Sequence, residues 1–174
     1  MSNTKIPNVL VLGTPGCGKS TLYSKHSFKL ELTHLNIAEL IKEKKLFQEW
    51  DDNMDCSVYD EDLLVDELNK YDFDKGGFLV EFHSCEFFDN TQFDRVYVLL
   101  TEIEVLGKRL EERKYSETKI KTNLECEIFR TCLFDSYEVF DREKVHELNS
   151  NNMDDLEKNV SLLLEYITES WYKL

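Results

Sequence analysis

Proline is nearly absent from this chain, at two residues in 174, and glycine is sparse at six. That scarcity excludes a Pro/Gly-rich linker, and no repeat or low-complexity tract divides the chain, so a single domain, 1–174, is expected. Basic residues are also short: 21 Lys and Arg stand against 35 Asp and Glu, a formal charge of −14. Such a balance excludes a broad nucleic-acid surface, which needs clustered cations. Any phosphate site must therefore be local. The acid excess reads as solubility, with attraction to a basic protein as the sharper alternative.

Long apolar runs are missing too. None approaches the roughly 20 residues of a spanning helix, and Met1-Ser2-Asn3-Thr4-Lys5 lacks the regions of a secretory signal. The five cysteines (Cys17, Cys56, Cys85, Cys126, Cys132) form an odd set without a C-x-x-C pair. They point to a reducing compartment, away from zinc, and to thiols buried as small apolar groups. With 41% hydrophobic and 32% charged residues, the chain is that of a globular, soluble protein.

What is present is alternation. Short apolar segments at Val9–Leu12, His34–Ile37, Phe78–Phe82, Val96–Leu100 and Val145–Leu148 predict strands. Helical patterns lie between and after them, at Lys19–Ser27, Ala38–Lys45, Asp60–Tyr71, Ile103–Arg113, Ile120–Phe140 and Asp154–Lys173. The pattern predicts an α/β fold: a parallel sheet flanked by helices on both faces.

Residues 13–21 read GTPGCGKST and follow the first strand. Gly13, Gly18, Lys19 and Ser20 match the phosphate-binding P-loop, with Pro15, Gly16 and Cys17 inside the loop and Thr21 after it. Glycines let the backbone curl around an anion. Lys19 would reach the β- and γ-phosphates, and the Ser20 hydroxyl would bind Mg²⁺ accompanying ATP. A glycine-rich turn with an exposed lysine is the plainer alternative, disfavoured by the strand, the spacing and the hydroxyl together.

Glu81 and His83 stand at the end of the third strand, where sites gather in open parallel sheets. Glu81 is a candidate for the Mg²⁺ shell and His83 for orienting water or a phosphate oxygen; a surface carboxylate and a hydrogen-bonded structural histidine are the alternatives. Arg109 and Arg113 share a helix face and suggest a clamp on the γ-phosphate, against a salt-bridged surface face. Arg113 borders a polar stretch suited to a lid. Cys126, Cys132, Phe87, Phe88 and Phe93 read as packing, and Ser150 and Asn151 as either a plain turn or a base-contacting loop.

Six stretches, GTPGCGKST, DEDLLVDEL (60–68), FHSCEFF (82–88), RLEERKY (109–115), ECEIF (125–129) and VHELNSN (145–151), together resemble the adenylate kinase isoenzyme 6 family. These are small nuclear nucleoside monophosphate kinases and ATPases that take part in ribosome assembly. The resemblance implies a P-loop nucleoside monophosphate kinase fold with a five-stranded parallel sheet. It implies a monophosphate-binding insertion near 36–59, with Asn36 and Lys42 as candidate contacts, and a short lid near 112–122. ATP contacts would come from Gly13, Pro15, Gly16, Cys17, Gly18, Lys19, Ser20, Thr21 and Arg113.

The implied activity is transfer of a phosphoryl group from ATP to a monophosphate, AMP preferred, with Mg²⁺ and ATPase activity. The alternatives are an ATPase that drives ribonucleoprotein assembly and a catalytically weak ATP-binding chaperone. The implied partner is a basic small-subunit ribosomal protein, and the implied location nuclear and cytoplasmic. Four positions depart from the family. Glu81 replaces its usual aspartate, Lys42 an arginine, Leu100 a cation after the fourth strand, and Lys114 a glycine after the lid arginine. The acceptor side is therefore expected to keep a charge at Lys42 without the arginine fork, to lose one at Leu100, and to transfer slowly.

Overall fold

The computed structural model describes residues 5–24, 32–51 and 56–172. At its centre lies β1 (Val9–Leu12), every residue of which is buried. It pairs in parallel with β5 (Phe78–Phe82) on one side and β6 (Arg95–Leu100) on the other. Strands β2 (Thr33–Asn36) and β7 (Val145–Asn149) complete a five-stranded parallel sheet in the order β2-β5-β1-β6-β7.

The unbroken apolar run of β1 follows from this position, because its side chains alternate between two cores. Leu10 and Leu12 join Val80, Phe82, Val96 and Val98 in one cluster, with α2 (Ile37–Lys44), α3 (Glu61–Leu68) and α6 (Thr131–Val139) over it. Val9 and Val11 join Leu79, Tyr97 and Leu99 in the other, beneath α1 (Lys19–Ser24) and α7 (Met153–Tyr172). Phe88 and Phe93 meet edge-on in the first cluster, centroids 4.9 Å apart, so they pack as expected.

Helix starts follow local chemistry. Asn36 accepts a bond from the Glu39 N–H at 3.1 Å, and Asp60 from Leu63 at 3.0 Å, so each caps the helix it precedes. Two departures from the sequence expectation have physical reasons. The predicted helix over 120–140 is two helices, α5 (Glu117–Ile128) and α6, because Arg130 adopts a left-handed conformation (φ 52°). No glycine or proline announces that break. It turns α6 under the sheet, where Cys132 and Leu133 enter the core. Residues 47–59 contain a small antiparallel hairpin, β3 (Phe47–Asp51) and β4 (Cys56–Tyr59), which apolar periodicity did not reveal. The last predicted residues of the first helix, 25–27, lie outside the described residues, as does 173. Helix α4 (Ile103–Glu112) completes the set.

One buried polar residue holds the amino ends of three strands together. Asn8, fully buried, donates through Nδ2 to the carbonyls of Phe73 (2.7 Å) and Gln92 (2.9 Å), and accepts from the Phe78 N–H at 3.1 Å. Asn8→Ala would strand these groups away from water. It is expected to lower the unfolding free energy by about 3 kcal/mol, read from urea titration, while the folded fraction still binds nucleotide.

Candidate active site

The carboxyl end of β1 delivers the glycine loop to the end of the sheet. Gly13 has φ 150° and Gly16 φ 98°, both in the region that favours glycine. A Cβ at Gly13 would stand 2.5 Å from Cys17 Sγ and 2.9 Å from the Leu99 carbonyl; one at Gly16 would meet Leu110 at 2.9 Å. The loop is thus held against β6 and α4 with no room for a side chain. Lys19 Nζ lies over it and donates to the carbonyls of Gly13 (2.5 Å) and Thr14 (3.3 Å). Cys17 is fully buried, and burial pushes its thiol up, so it acts as filler. Cys85 and Cys132 are likewise pushed up to about 12 by burial, in keeping with packing.

Two joined cavities open from the loop. The smaller, about 200 Å³, is lined by Pro15, Gly16, Gly18, Lys19, Ser20, Thr21, Asn36, Ala38, Glu81, Phe82, His83, Arg113 and Tyr115. The larger, about 410 Å³, shares Gly16, Gly18, Thr21 and Arg113, and adds Arg109, Glu112, Ser150, Asn152, Met153 and Leu156. Residues from four separate parts of the chain therefore meet around Lys19: the loop, the end of β2, the end of β5 and the end of α4. Thr14, Gly13 and Cys17 form the back of the loop rather than the cavity lining.

The two arginines separate. Arg113 stands where the cavities join. Arg109 instead donates to the carbonyls of Ser150 (2.8 Å) and Asn151 (3.0 Å), pinning the loop after β7. Ser150 in turn donates to the Cys17 carbonyl at 2.5 Å, so that loop is tied to the phosphate cradle and is more than a plain turn. On the opposite side, Asn36 lines the smaller cavity, but Lys42 is exposed on α2 and lines neither. Leu100 belongs to another cavity altogether, about 630 Å³, beside Glu102, Glu127 and Arg130. Leu100 therefore lines neither of the two cavities beside the glycine loop.

Glu127 is a site residue that sequence reasoning missed. From the end of α5 its buried carboxylate accepts from the Thr14 hydroxyl at 2.5 Å and the Thr101 N–H at 2.6 Å. The only signal was the acidic residue within ECEIF, whose partners lie far away in the chain.

A divalent cation fits the donors present. Ser20 and Glu81 line the same cavity, and Glu81 Oε2 is buried without a hydrogen-bond partner among the described residues. Glu81 Oε1 accepts from Asn36 Nδ2 at 2.7 Å. Among the described residues, no three carboxylates, histidines or cysteines group as a metal site. A cation here would rest on these two side chains and on the phosphates it accompanies. His83 lines the smaller cavity and is exposed at its surface, although protein crowds its ring. Burial, then the nearby Lys19 ammonium, push its imidazole down to about 4, so it is neutral at pH 7.

A phosphate loop on the central strand of a parallel sheet, with a basic helix end beside it, makes this a P-loop kinase. The fold is shared with a shikimate kinase from Bacteroides thetaiotaomicron, which covers 93% of this chain and 98% of its own at TM-score 0.59 and 16% identity. A gluconokinase from Sinorhizobium meliloti covers 94% and 97% at TM-score 0.55 and 12% identity. A family model described as an AAA domain matches residues 9–130. Adenylate kinase isoenzyme 6 homologs of Dictyostelium discoideum and Caenorhabditis elegans are 39% and 40% identical. The first alignment covers 96% of this chain and 94% of the relative, the second 94% and 90%. The chain belongs to the family of adenylate kinase isoenzyme 6 homologs.

Two outcomes follow. Glu127→Ala leaves the Thr14 hydroxyl and the Thr101 N–H without their charged acceptor. It should lower stability by about 3 kcal/mol in urea titration and weaken ATP binding measured calorimetrically. For His83, the folded state holds the proton less tightly than the unfolded chain (about 4 against the usual 6.5). Its contribution to stability is therefore complete above pH 6.5 and lost as pH falls towards 4. Over that window wild type should lose stability relative to His83→Gln. An NMR titration of His83 should place its midpoint near 4 and move it upward when a triphosphate binds.

Proposed function

We propose that this protein transfers the γ-phosphoryl group of ATP to a nucleoside monophosphate, AMP preferred, and also hydrolyses ATP, with Mg²⁺. The observation that carries this reading is the pair of adjoining cavities that share Gly16, Gly18, Thr21 and Arg113, with Lys19 lining the smaller. The larger, closed off by the loop that Arg109 pins, has room for the nucleoside of the donor. The smaller receives the phosphates and the acceptor.

The residues divide the work. The glycine loop binds the phosphate oxygens through backbone N–H groups. Lys19, released from the Gly13 and Thr14 carbonyls, neutralises charge on the β- and γ-phosphates. Arg113 approaches the transferred group from the helix end and stabilises its charge in flight. Ser20 and Glu81 would hold Mg²⁺, which supplies charge neutralisation across the phosphates. Neutral His83, beside Lys19, can accept a proton or orient the attacking oxygen. Asn36, capping α2 and bonded to Glu81, links the monophosphate side to the metal side.

The acceptor side is weakly charged. Lys19 and Arg113 are the cations among the described lining residues of the smaller cavity, and both serve the donor. Slow transfer with a high KM for AMP follows. This asymmetry favours a second reading, an ATPase or ATP-binding assembly factor that chaperones a basic small-subunit ribosomal protein. The charge of −14 supports such a partner, with salt-sensitive affinity. Residence in nucleus and cytoplasm belongs to the same proposal and rests on the family resemblance.

The deciding measurement is ADP formation from ATP alone against ATP plus AMP. Stimulation by AMP, with ADP appearing two for each ATP consumed, supports the kinase; hydrolysis with no conversion of added AMP to ADP supports the assembly factor. Lys19→Ala should abolish both reactions, and Arg113→Ala should slow both by about a hundredfold. Leu100→Arg should leave AMP kinetics unchanged, because Leu100 lines a different cavity. Undiminished turnover by folded Lys19→Ala would sink both readings.

A further inference from the structure

The Glu81 carboxylate has a neighbour that the chemistry above does not use. His34 lies on β2, paired opposite Leu79, while Asn36 lies opposite Glu81. His34 and Asn36 are two residues apart on one strand and so face the same side, one diagonal and one direct neighbour of Glu81. His34 Nε2 stands 3.4 Å from Glu81 Oε1. The imidazole is itself held: Tyr23, one helical turn beyond Ser20 on α1, stacks on it with centroids 3.5 Å apart and planes 14° from parallel.

Two atoms in this group are buried without a hydrogen-bond partner among the described residues, His34 Nε2 and Glu81 Oε2. Buried polar atoms are nearly always paired, and an unpaired one calls for an explanation such as an ion that binds there. Here one event would satisfy both. A cation beside Ser20 would draw one carboxylate oxygen of Glu81 towards itself. A small turn of the carboxylate would then let the other accept from His34 Nε2–H, with the Asn36 bond kept. Such a partner behind a metal-facing carboxylate fixes its orientation and raises metal affinity.

We propose that His34, clamped by Tyr23, is the positioning residue that orients the Glu81 carboxylate for the divalent cation. The proposal rests on the reading of Glu81 as a metal-side residue. It also ties the metal shell to the P-loop helix, because the ring that holds His34 belongs to α1. His34 touches neither nucleotide nor reacting atoms; it acts through Glu81.

The test is Mn²⁺ binding, followed by electron paramagnetic resonance, to the whole protein saturated with a non-hydrolysable ATP analogue. His34→Phe keeps a ring to stack on Tyr23 and deletes the nitrogen. It should raise the Mn²⁺ concentration for half-occupancy about tenfold. Affinity for the analogue in EDTA and the thermal midpoint without metal should stay at wild-type values. His34→Gln, which retains an N–H donor, should recover most of the loss, and it serves as the folded control if the phenylalanine variant is unstable. In turnover, the Mg²⁺ requirement should rise while KM for ATP at saturating metal stays constant. Wild-type Mn²⁺ affinity in His34→Phe, alongside weakened affinity in Glu81→Gln, would overturn the role of His34 alone. Unchanged affinity in Glu81→Gln would overturn the metal-side reading of Glu81 and this proposal with it. An equal loss of analogue binding in EDTA would make His34 a packing residue of the P-loop helix.

Discussion

The contact between Glu127 and the phosphate loop is the tie on which the cleft depends. Thr14 sits inside the glycine loop, and Thr101 begins the segment after β6. A single buried carboxylate from α5 accepts from both, at 2.5 and 2.6 Å. A charged acceptor in a low-dielectric setting makes stronger bonds than a neutral one, and its loss leaves two donors buried. The tie therefore locks three segments into one arrangement: the loop, the strand end that leads into α4, and α5. Because α4 carries Arg109 and ends at Arg113, the position of both arginines relative to Lys19 depends on it.

That arrangement explains why two arginines one turn apart do different things. Arg109 is consumed by the carbonyls of Ser150 and Asn151, whose loop also reaches the back of the P-loop through the Ser150 hydroxyl. Arg113, one turn on, emerges where the two cavities meet. One guanidinium builds the wall and the other faces the space within it. The cleft is correspondingly lopsided. Its cations, Lys19 and Arg113, stand by the phosphate loop, whereas the other described residues that line the smaller cavity, Asn36, Ala38 and Tyr115 among them, add no further Lys or Arg. Phosphoryl transfer depends on positioning and charge neutralisation, so under the proposed function this lining favours holding the donor over handing on its phosphate.

Much of the fold was legible because burial leaves a direct mark on the chain. Strand β1 falls at the expected residues, since a strand covered on both faces must be apolar throughout. The hairpin at 47–59 was not legible: its strands are short and carry charged and polar residues such as Glu49, Asp51 and Ser57. Nor was the break between α5 and α6, where an arginine takes a conformation that usually marks glycine. Placement of the acceptor residues was harder still. Lys42 and Leu100 were assigned by resemblance to a site whose lining they do not join.

The chain by itself determined the P-loop, the parallel α/β class and the helix caps. Each depends on neighbouring residues: glycines that permit a curled backbone, apolar runs that demand burial, and side chains that reach the next turn. Only the tertiary structure decided which distant groups meet. Thr14 and Glu127 are 113 residues apart, and Ser150 and Cys17 are 133 apart. No local pattern encodes such pairs. They arise because the strand order β2-β5-β1-β6-β7 brings the ends of β2, β5 and β7 to the same edge of the sheet as the loop. Register then sets Asn36 against Glu81, and packing lets one helix lend its carboxylate to another segment's hydroxyl.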